Sequence, residues 1–315
     1  MANILVTGSD GYIGSGLVKK LLADGHQVSC VDKKIFYNLE SGGLSGILRP
    51  CDDIKDITVE HLKPISHVIH LAAISNDPAA ELDARLTWET NVLYTLFLMD
   101  NAAKARVPQF TFASSGSVYG LKDEDRVTEE LELMPITDYN KSKMCAERIL
   151  LSYRDQIGLT IIRPATVCGV SERQRLDVVV NILTSQALKN KVIKLFGGDQ
   201  VRPHIHMSDM HGLYLEIIKN PAAYQGVFNA GFENLTNKEL AQLIADSTGA
   251  AIEKTTSSDN RSYRLCSDKL LAAGFKPQHS VREAVNDITQ SFKQGTLQDG
   301  PQTQSVQWLK QYYGK

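Results

Sequence analysis

Three things are scarce in this sequence. Its 315 residues hold five cysteines, Cys30, Cys51, Cys145, Cys168 and Cys266, with no CxxC pair and no Cys/His cluster at metal-ligand spacing. That excludes a disulfide scaffold and the common zinc sites, so the thiols read as reduced, in a cytoplasmic protein without a metal. Surplus charge is missing too: 34 Lys+Arg against 36 Asp+Glu leave a formal net charge of -2. No overall field draws the chain to nucleic acid or to an anionic membrane, and any anionic partner must be met by a few placed cations. Long apolar runs are absent as well. Nothing approaches the ~20 residues of a membrane span, and the N-terminal stretch lacks a basic segment followed by an apolar one. What is present is 43% apolar and 22% charged, an ordinary soluble composition with room for one large domain or two unequal ones. A small-molecule partner is favoured.

Over the first 165 residues, short β-branched runs ("NILVTG", "QVSCVD", "HVIHLAA", "QFTFASS", "LTIIRP") alternate with amphipathic stretches of helical period. That order predicts a parallel sheet with helices on both faces. After Pro164 the regularity weakens. A loop and helix in "VSERQRLDVVVNILTSQALKNK", a strand in "VIKLFG", a turn-rich loop in "GGDQVRP" and a further sheet strand in "GVFNAG" are expected, followed by three helical segments and a loose polar tail, "GTLQDGPQTQ". The predicted class is α/β: a Rossmann-type doubly wound parallel sheet with a smaller C-terminal substrate-binding α/β domain. Its expected division is 1–165 for the dinucleotide, with a strand and helix returning near 205–231, and 166–204 with 232–315 for the substrate.

"VTGSDGYIGSGLVKKLL" sets Gly8, Gly11 and Gly14 at GxxGxxG spacing between an apolar strand and a helix. Glycines there allow a sharp turn and close approach of a pyrophosphate, whose charge the helix N-terminus stabilises. Asp32 closes the next strand, where a carboxylate accepts hydrogen bonds from an adenosine ribose and repels a 2'-phosphate, so NAD is favoured over NADP. Lys33 and Lys34 directly after it blur that preference.

Together with "CDDIKD", "HLAA", "NVLYTL" from Asn91, "SSGSVYG" from Ser114, "YNKSK" from Tyr139, "RPATVCG" from Arg163 and "RPHIHMSD" from Arg202, these motifs resemble the extended short-chain dehydrogenase/reductase family. The likeness is to its NAD-dependent sugar-nucleotide epimerase/dehydratase branch and runs over nearly the whole chain. It implies a dinucleotide site formed by Gly8, Gly11, Tyr12, Ile13, Gly14 and Asp32, with Asp53 and Ile54 beside the adenine. Leu71, Ala72 and Ala73 would line the groove, and Asn91, Ser114, Tyr139, Lys143 and Arg163 would complete it. His70, closing an apolar strand, reads instead as a hydrogen-bonded structural residue.

Oxidising a sugar hydroxyl requires a base for the O–H proton, a hydride acceptor, and a group that holds the oxygen. The resemblance makes Tyr139 the base, Lys143 the cation that makes its anion accessible, and Ser115 the hydroxyl on the reacting oxygen. Tyr139 and Lys143 stand four apart, on one face of a helix. Dehydratases of the family carry an Asp-Glu pair where this chain has Gly116 and Ser117, which argues against loss of water. For the substrate, Ser115, Ser117, Arg173, Arg175, Asn181, Arg202 and Arg264 are the candidates, with Arg264 preferred to Arg261. Arginines suit a diphosphate. Asp177 falls where epimerases place an asparagine against that diphosphate, a costly position for an acid unless it is paired.

The expected activity is an NAD-dependent sugar-nucleotide epimerase or C4 dehydrogenase, and the sequence leaves the two unseparated. The alternatives are an NAD(P)-dependent reductase of a non-nucleotide ketone and a non-catalytic dinucleotide-sensing protein. A nucleotide-diphosphate sugar is the expected partner. The resemblance implies a homodimer through the helices beginning near Asn91 and Tyr139.

Overall fold

The computed structural model describes residues 1–44, 47–255 and 262–314. Among these residues, eleven strands run in chain order: β1 (Asn3–Thr7), β2 (Gln27–Val31), β3 (His67–His70), β4 (Gln109–Ala113), β5 (Gly158–Pro164), β6 (Thr166–Cys168), β7 (Val192–Phe196), β8 (Val201–His206), β9 (Gly226–Ala230), β10 (Glu233–Thr236) and β11 (Ala251–Thr255). Six of them form one parallel sheet in the order β2-β1-β3-β4-β5-β9.

Side-chain alternation explains why these runs are apolar throughout. Ile4 and Val6 of β1 face one core with Leu17, Val18 and Leu21 of the Gly14–Ala23 helix and with Met210 and Leu213 of the Met207–Lys219 helix. Leu5, between them, faces the other core with Val68, Phe110 and Phe112, beneath Leu98 and Met99 of the Tyr94–Lys104 helix and Ala146 and Leu150 of the Asp138–Leu151 helix. Both sheet faces are covered, as expected of a doubly wound fold. At the β2 edge, Cys30 N–H donates to Leu48 O at 2.8 Å and Ser29 bridges Leu48 in parallel, the trace of a further strand.

From β1 the chain goes to β2 on one side and to β3 on the other, so a crevice opens beyond the carboxyl ends of β1 and β3. Here the loops pinch together. A Cβ on Gly8, whose φ is +73°, would sit 2.6 Å from Ala72 N, so only glycine fits.

A separate core gathers Val180, Leu240, Ile244, Ala284 and Val285 from the helices Val179–Asn190, Asn237–Thr248 and Val281–Lys293, with Ile193 and Leu195 of β7. Beside it stand the β10-β8-β6 and β11-β7 sheets. Two local expectations are corrected. The stretch from Val201 is strand rather than loop, and Pro203 is tolerated because pairing of β8 with β6 begins only at His204. The polar stretch 295–304, expected to be loose, holds a short turn at Pro301–Thr303, and the chain after it forms a helix, Ser305–Tyr313, that the sequence reading does not anticipate. Turn and helix are tied to loops far away in sequence. Leu176 N–H donates to Thr303 O at 3.0 Å, Gln304 Nε2 donates to Leu176 O at 3.1 Å, and Trp308 Nε1 donates to Ile35 O at 2.6 Å.

Candidate active site

A cavity of about 220 Å³ occupies the crevice. Gly8, Gly11, Tyr12, Ile13 and Gly14 contribute to it from the β1 turn, Asp32, Asp53 and Ile54 from beyond β2, and Leu71, Ala72 and Ala73 from the end of β3. Each oxygen of Asp32 accepts one backbone N–H, from Lys34 at 2.8 Å and from Asp10 at 3.0 Å. Burial, followed by the neighbouring Asp10, pushes this carboxyl up to about 6, against the pull of those two bonds. The lysines that blurred the cofactor preference are engaged: Lys33 pairs with Asp53 at 2.9 Å and Lys34 with Asp52 at 2.8 Å. A glycine turn, a helix start lining the cavity and an acid at the ribose position fit NAD, with Lys33 and Lys34 both engaged rather than free for a 2'-phosphate.

At the β4 end, Ser115 caps a short turn, Gly116–Tyr119. Its Oγ accepts Ser117 N–H at 3.2 Å and lies 2.7 Å from Ser117 Oγ, which donates to Asn140 Oδ1 at 2.5 Å. The Asp138–Leu151 helix starts at Thr137, whose Oγ1 accepts Asn140 N–H at 3.3 Å and donates to Asp77 at 2.6 Å. That start brings Tyr139 to Ser115. Burial raises the Tyr139 phenol above its usual range, the hydrogen bond from Ser115 works against the rise, Asp77 adds to it and Arg175 opposes it. One turn on, the buried Lys143 Nζ donates to Ala113 O at 2.8 Å and lies 4.7 Å from the Phe112 ring centre. Burial drives its amine down to about 7, and nearby Glu147 partly offsets this. Ser115 and Tyr139 therefore meet, with Lys143 one turn further along the helix, bonded to the last residue of β4.

Several other expected residues face elsewhere. Ser114 is buried and donates to Glu147, and Arg163 is buried in an ion pair with the same carboxylate at 2.7 Å. Both brace the site from behind the groove, because a buried guanidinium needs a carboxylate more than a solvated ligand. Asn91 clamps Ile74: its Oδ1 accepts Ile74 N–H at 2.8 Å and its Nδ2 donates to Ile74 O at 3.1 Å and to Ser142 Oγ at 3.0 Å. Asn181 is fully buried, with its amide spent on Gly169, Tyr12 and Arg175 O, which leaves nothing for a substrate. Ser117, expected on the substrate, is committed to Asn140 and Ser115. His70 behaves as the sequence indicates, its two nitrogens bonded to Thr7 Oγ1 at 2.6 Å and Thr95 Oγ1 at 2.8 Å.

The arginines are redistributed. Arg173 and Arg175, expected on the substrate, line the same cavity as the glycine turn. Asp177 is paired, with Arg175 Nε at 2.8 Å and Ser305 N–H at 2.9 Å, and these partners outweigh burial and hold its carboxyl below the usual range. Arg202 is half-buried on β8 opposite Leu235. Arg264 opens into a different cleft with Arg126 and Asp268. The Leu265 side chain and the Tyr263 hydroxyl lie 3.6 Å from where a Gly116 Cβ would be, so alternation turns Arg264 away from that side. Arg261 lies outside the described residues. The sequence reading missed Tyr263, Asn140 and the tail helix, whose Ser305, Leu309 and Tyr313 reach the cavity.

Residues 4–231 match the NAD dependent epimerase/dehydratase family. The chain is 27% identical to the UDP-glucose 4-epimerase of Corynebacterium glutamicum, over 90% of its own length and 94% of that protein's. It is 28% identical to a putative UDP-glucose 4-epimerase of Methanocaldococcus jannaschii, over 92% and 98%. Its fold is similar to that of MoeE5 solved in complex with UDP-glucuronic acid and NAD, with a TM-score of 0.81 at 26% identity, covering 93% of this chain and 99% of that one. Since the match spans the glycine turn, the Ser115–Tyr139 pair and all six strands of the parallel sheet, the chain belongs to the NAD dependent epimerase/dehydratase family of enzymes.

Proposed function

We propose that this enzyme oxidises a nucleotide-diphosphate sugar at C4 and returns the hydride to the opposite face of the same sugar, a UDP-sugar 4-epimerase. Should the keto sugar leave before the return step, the same site works as a C4 dehydrogenase. The observation that carries the reading is the hydroxyl pair Ser115–Tyr139 beyond the end of β4, with Lys143 buried one turn behind it. Tyr139 takes the C4 hydroxyl proton while Ser115 holds the oxygen, and the carbonyl forms as the C–H bond breaks. Bound NAD supplies the hydride acceptor. The hydrogen bond with Ser115 and the charge of Arg175 work against the burial that keeps the Tyr139 phenol neutral, and we assign a protonated Lys143 to the same task once the cofactor is bound. On return, Tyr139 gives the proton back.

The surroundings of Gly116 argue against loss of water. A Cβ there would press on Pro164 O at 3.1 Å, and Leu265 and Tyr263 close the space around it. The comparisons favour neither a non-nucleotide ketone reductase nor a non-catalytic sensor. Arg202 is our candidate for the sugar nucleotide's diphosphate. The cofactor is assigned to residues 1–165 with 205–231, and the sugar nucleotide to the remainder, except that the tail reaches the cofactor side. No helix among the described residues is long and apolar enough to cross a membrane. A reducing, cytoplasmic setting suits five free cysteines. Leu93 and Phe97, 40% and 45% exposed and four apart, would form part of a homodimer contact, testable by light scattering.

The function is tested by NMR of the products after incubation with UDP-glucose and other UDP-, GDP-, dTDP- and CDP-sugars. The expected result is interconversion at C4 with no net formation of reduced cofactor. Unaltered sugars and no absorbance change would overturn the proposal.

A further inference from the structure

Arg173 is 4% exposed, and among the described residues no carboxylate pairs with it. Its guanidinium lies 4.1 Å from the Phe36 ring centre. One nitrogen, Nη2, donates to Ser305 Oγ at 3.1 Å and reaches Gln302 O at 3.4 Å, while the buried Nε has no partner. Arg175, two residues on, lines the same cavity but is neutralised by Asp177 at 2.8 Å. A guanidinium holds its proton at neutral pH, so burying it without a counter-charge is unfavourable until an anion arrives. Burial, with Arg175 nearby, accordingly depresses Arg173 to about 9.

Its surroundings identify the anion. Arg173 N–H donates to Ser15 Oγ at 3.2 Å, in the first turn of the Gly14–Ala23 helix, and its side chain shares the cavity with Gly11, Tyr12, Ile13 and Gly14. Helix start and glycine turn present backbone N–H groups to phosphate. The guanidinium, with no carboxylate beside it and its Nε unpartnered, adds the matching full charge from the other wall.

We propose that Arg173 binds the diphosphate of the bound dinucleotide, and that the tail, through Gln302 and Ser305, positions it there. The sequence alone puts this arginine on the sugar nucleotide; its burial among the glycine turn, Phe36 and the tail puts it on the cofactor. The tail thereby becomes part of cofactor retention, which a redox-neutral cycle benefits from. This inference rests on the dinucleotide reading of the groove.

Calorimetric titration of ADP-ribose, adenosine and UDP into wild type, Arg173→Gln and Arg173→Lys tests it. ADP-ribose carries the diphosphate and adenosine does not, so Arg173→Gln should weaken ADP-ribose by at least about tenfold and leave adenosine and UDP nearly unchanged. Arg173→Lys should recover part of the loss. Should the glutamine variant not fold, the lysine variant decides by the same comparison, ADP-ribose weakened more than adenosine. Equal weakening of adenosine, unchanged ADP-ribose, or a loss confined to UDP would each overturn the assignment. If wild type itself binds neither ADP-ribose nor adenosine, the dinucleotide reading of the groove fails, and this proposal with it.

Discussion

Glu147 grips the Arg163 guanidinium with both carboxylate oxygens, Nη2 at 2.7 Å and Nε at 3.0 and 3.3 Å, and it stands one turn beyond Lys143 on the same helix. The side chains are 1% and 6% exposed. Glu147 also accepts the Ser114 hydroxyl, and Arg163 Nη1 donates to Tyr119 Oη at 2.7 Å, so one buried carboxylate ties β4, β5 and the turn after Ser115 to the catalytic helix. The pair braces the segment that carries Ser115 against the helix that carries Tyr139.

Arg163→Met would leave Glu147 buried without its cation, and such breaks cost about 3–5 kcal/mol. The expected outcome is a fall in the urea midpoint at neutral pH. A midpoint equal to wild type would mean that the pair contributes little.

Lys143 carries a pH signature. Its folded amine titrates near 7, below the usual range, so at neutral pH and above the unfolded chain holds more protons here than the folded one. This residue therefore makes stability rise with pH from about 7 to the unfolded value of about 10.4. Lys143→Met removes that slope. The variant should gain stability over wild type most at or below pH 7, with the advantage shrinking toward pH 10, and should be inactive. An advantage independent of pH would contradict the depressed amine.

Tyr139→Phe removes the base and keeps the ring. Turnover should fall by about 10²–10⁴ while NAD affinity, read by calorimetry, stays near wild type. Ser115→Ala should lower kcat more than it changes KM, because Ser115 acts on the reacting oxygen.

The sheet and the glycine turn were legible because their signals are local: short, continuously apolar runs buried on both faces, and a glycine whose φ of +73° and 2.6 Å approach to Ala72 exclude a side chain. The Tyr139–Lys143 spacing was legible for the same reason. Directions were not. Arg163, Ser114, Asn91 and Asn181 stand in recognisable motifs, yet their partners come from other elements, and sequence does not say whether a polar side chain turns to the groove or into the core. The helix Ser305–Tyr313 was hidden because it is short, follows directly on a polar stretch with the composition of a loose tail, and docks through Gln304 and Trp308 on loops far away in sequence. Tyr263 was hidden because its place beside Gly116 depends on the pairing of Leu265 with Val127, far away in sequence.

Gly116 offers the sharpest test of reaction type. If the absence of an acid pair were the only barrier to dehydration, Gly116→Asp with Ser117→Glu would install it. The backbone around Gly116 argues otherwise. A Cβ there meets Pro164 O at 3.1 Å, and Ser117 Oγ already anchors Asn140 at the start of the catalytic helix. The double variant should therefore lose C4 chemistry, through displacement of Ser115 and Tyr139, without releasing a 4-keto-6-deoxy sugar, as NMR of the products would report. Appearance of that product would mean that the pocket tolerates the acid pair and that specificity against water loss rests on residue identity alone.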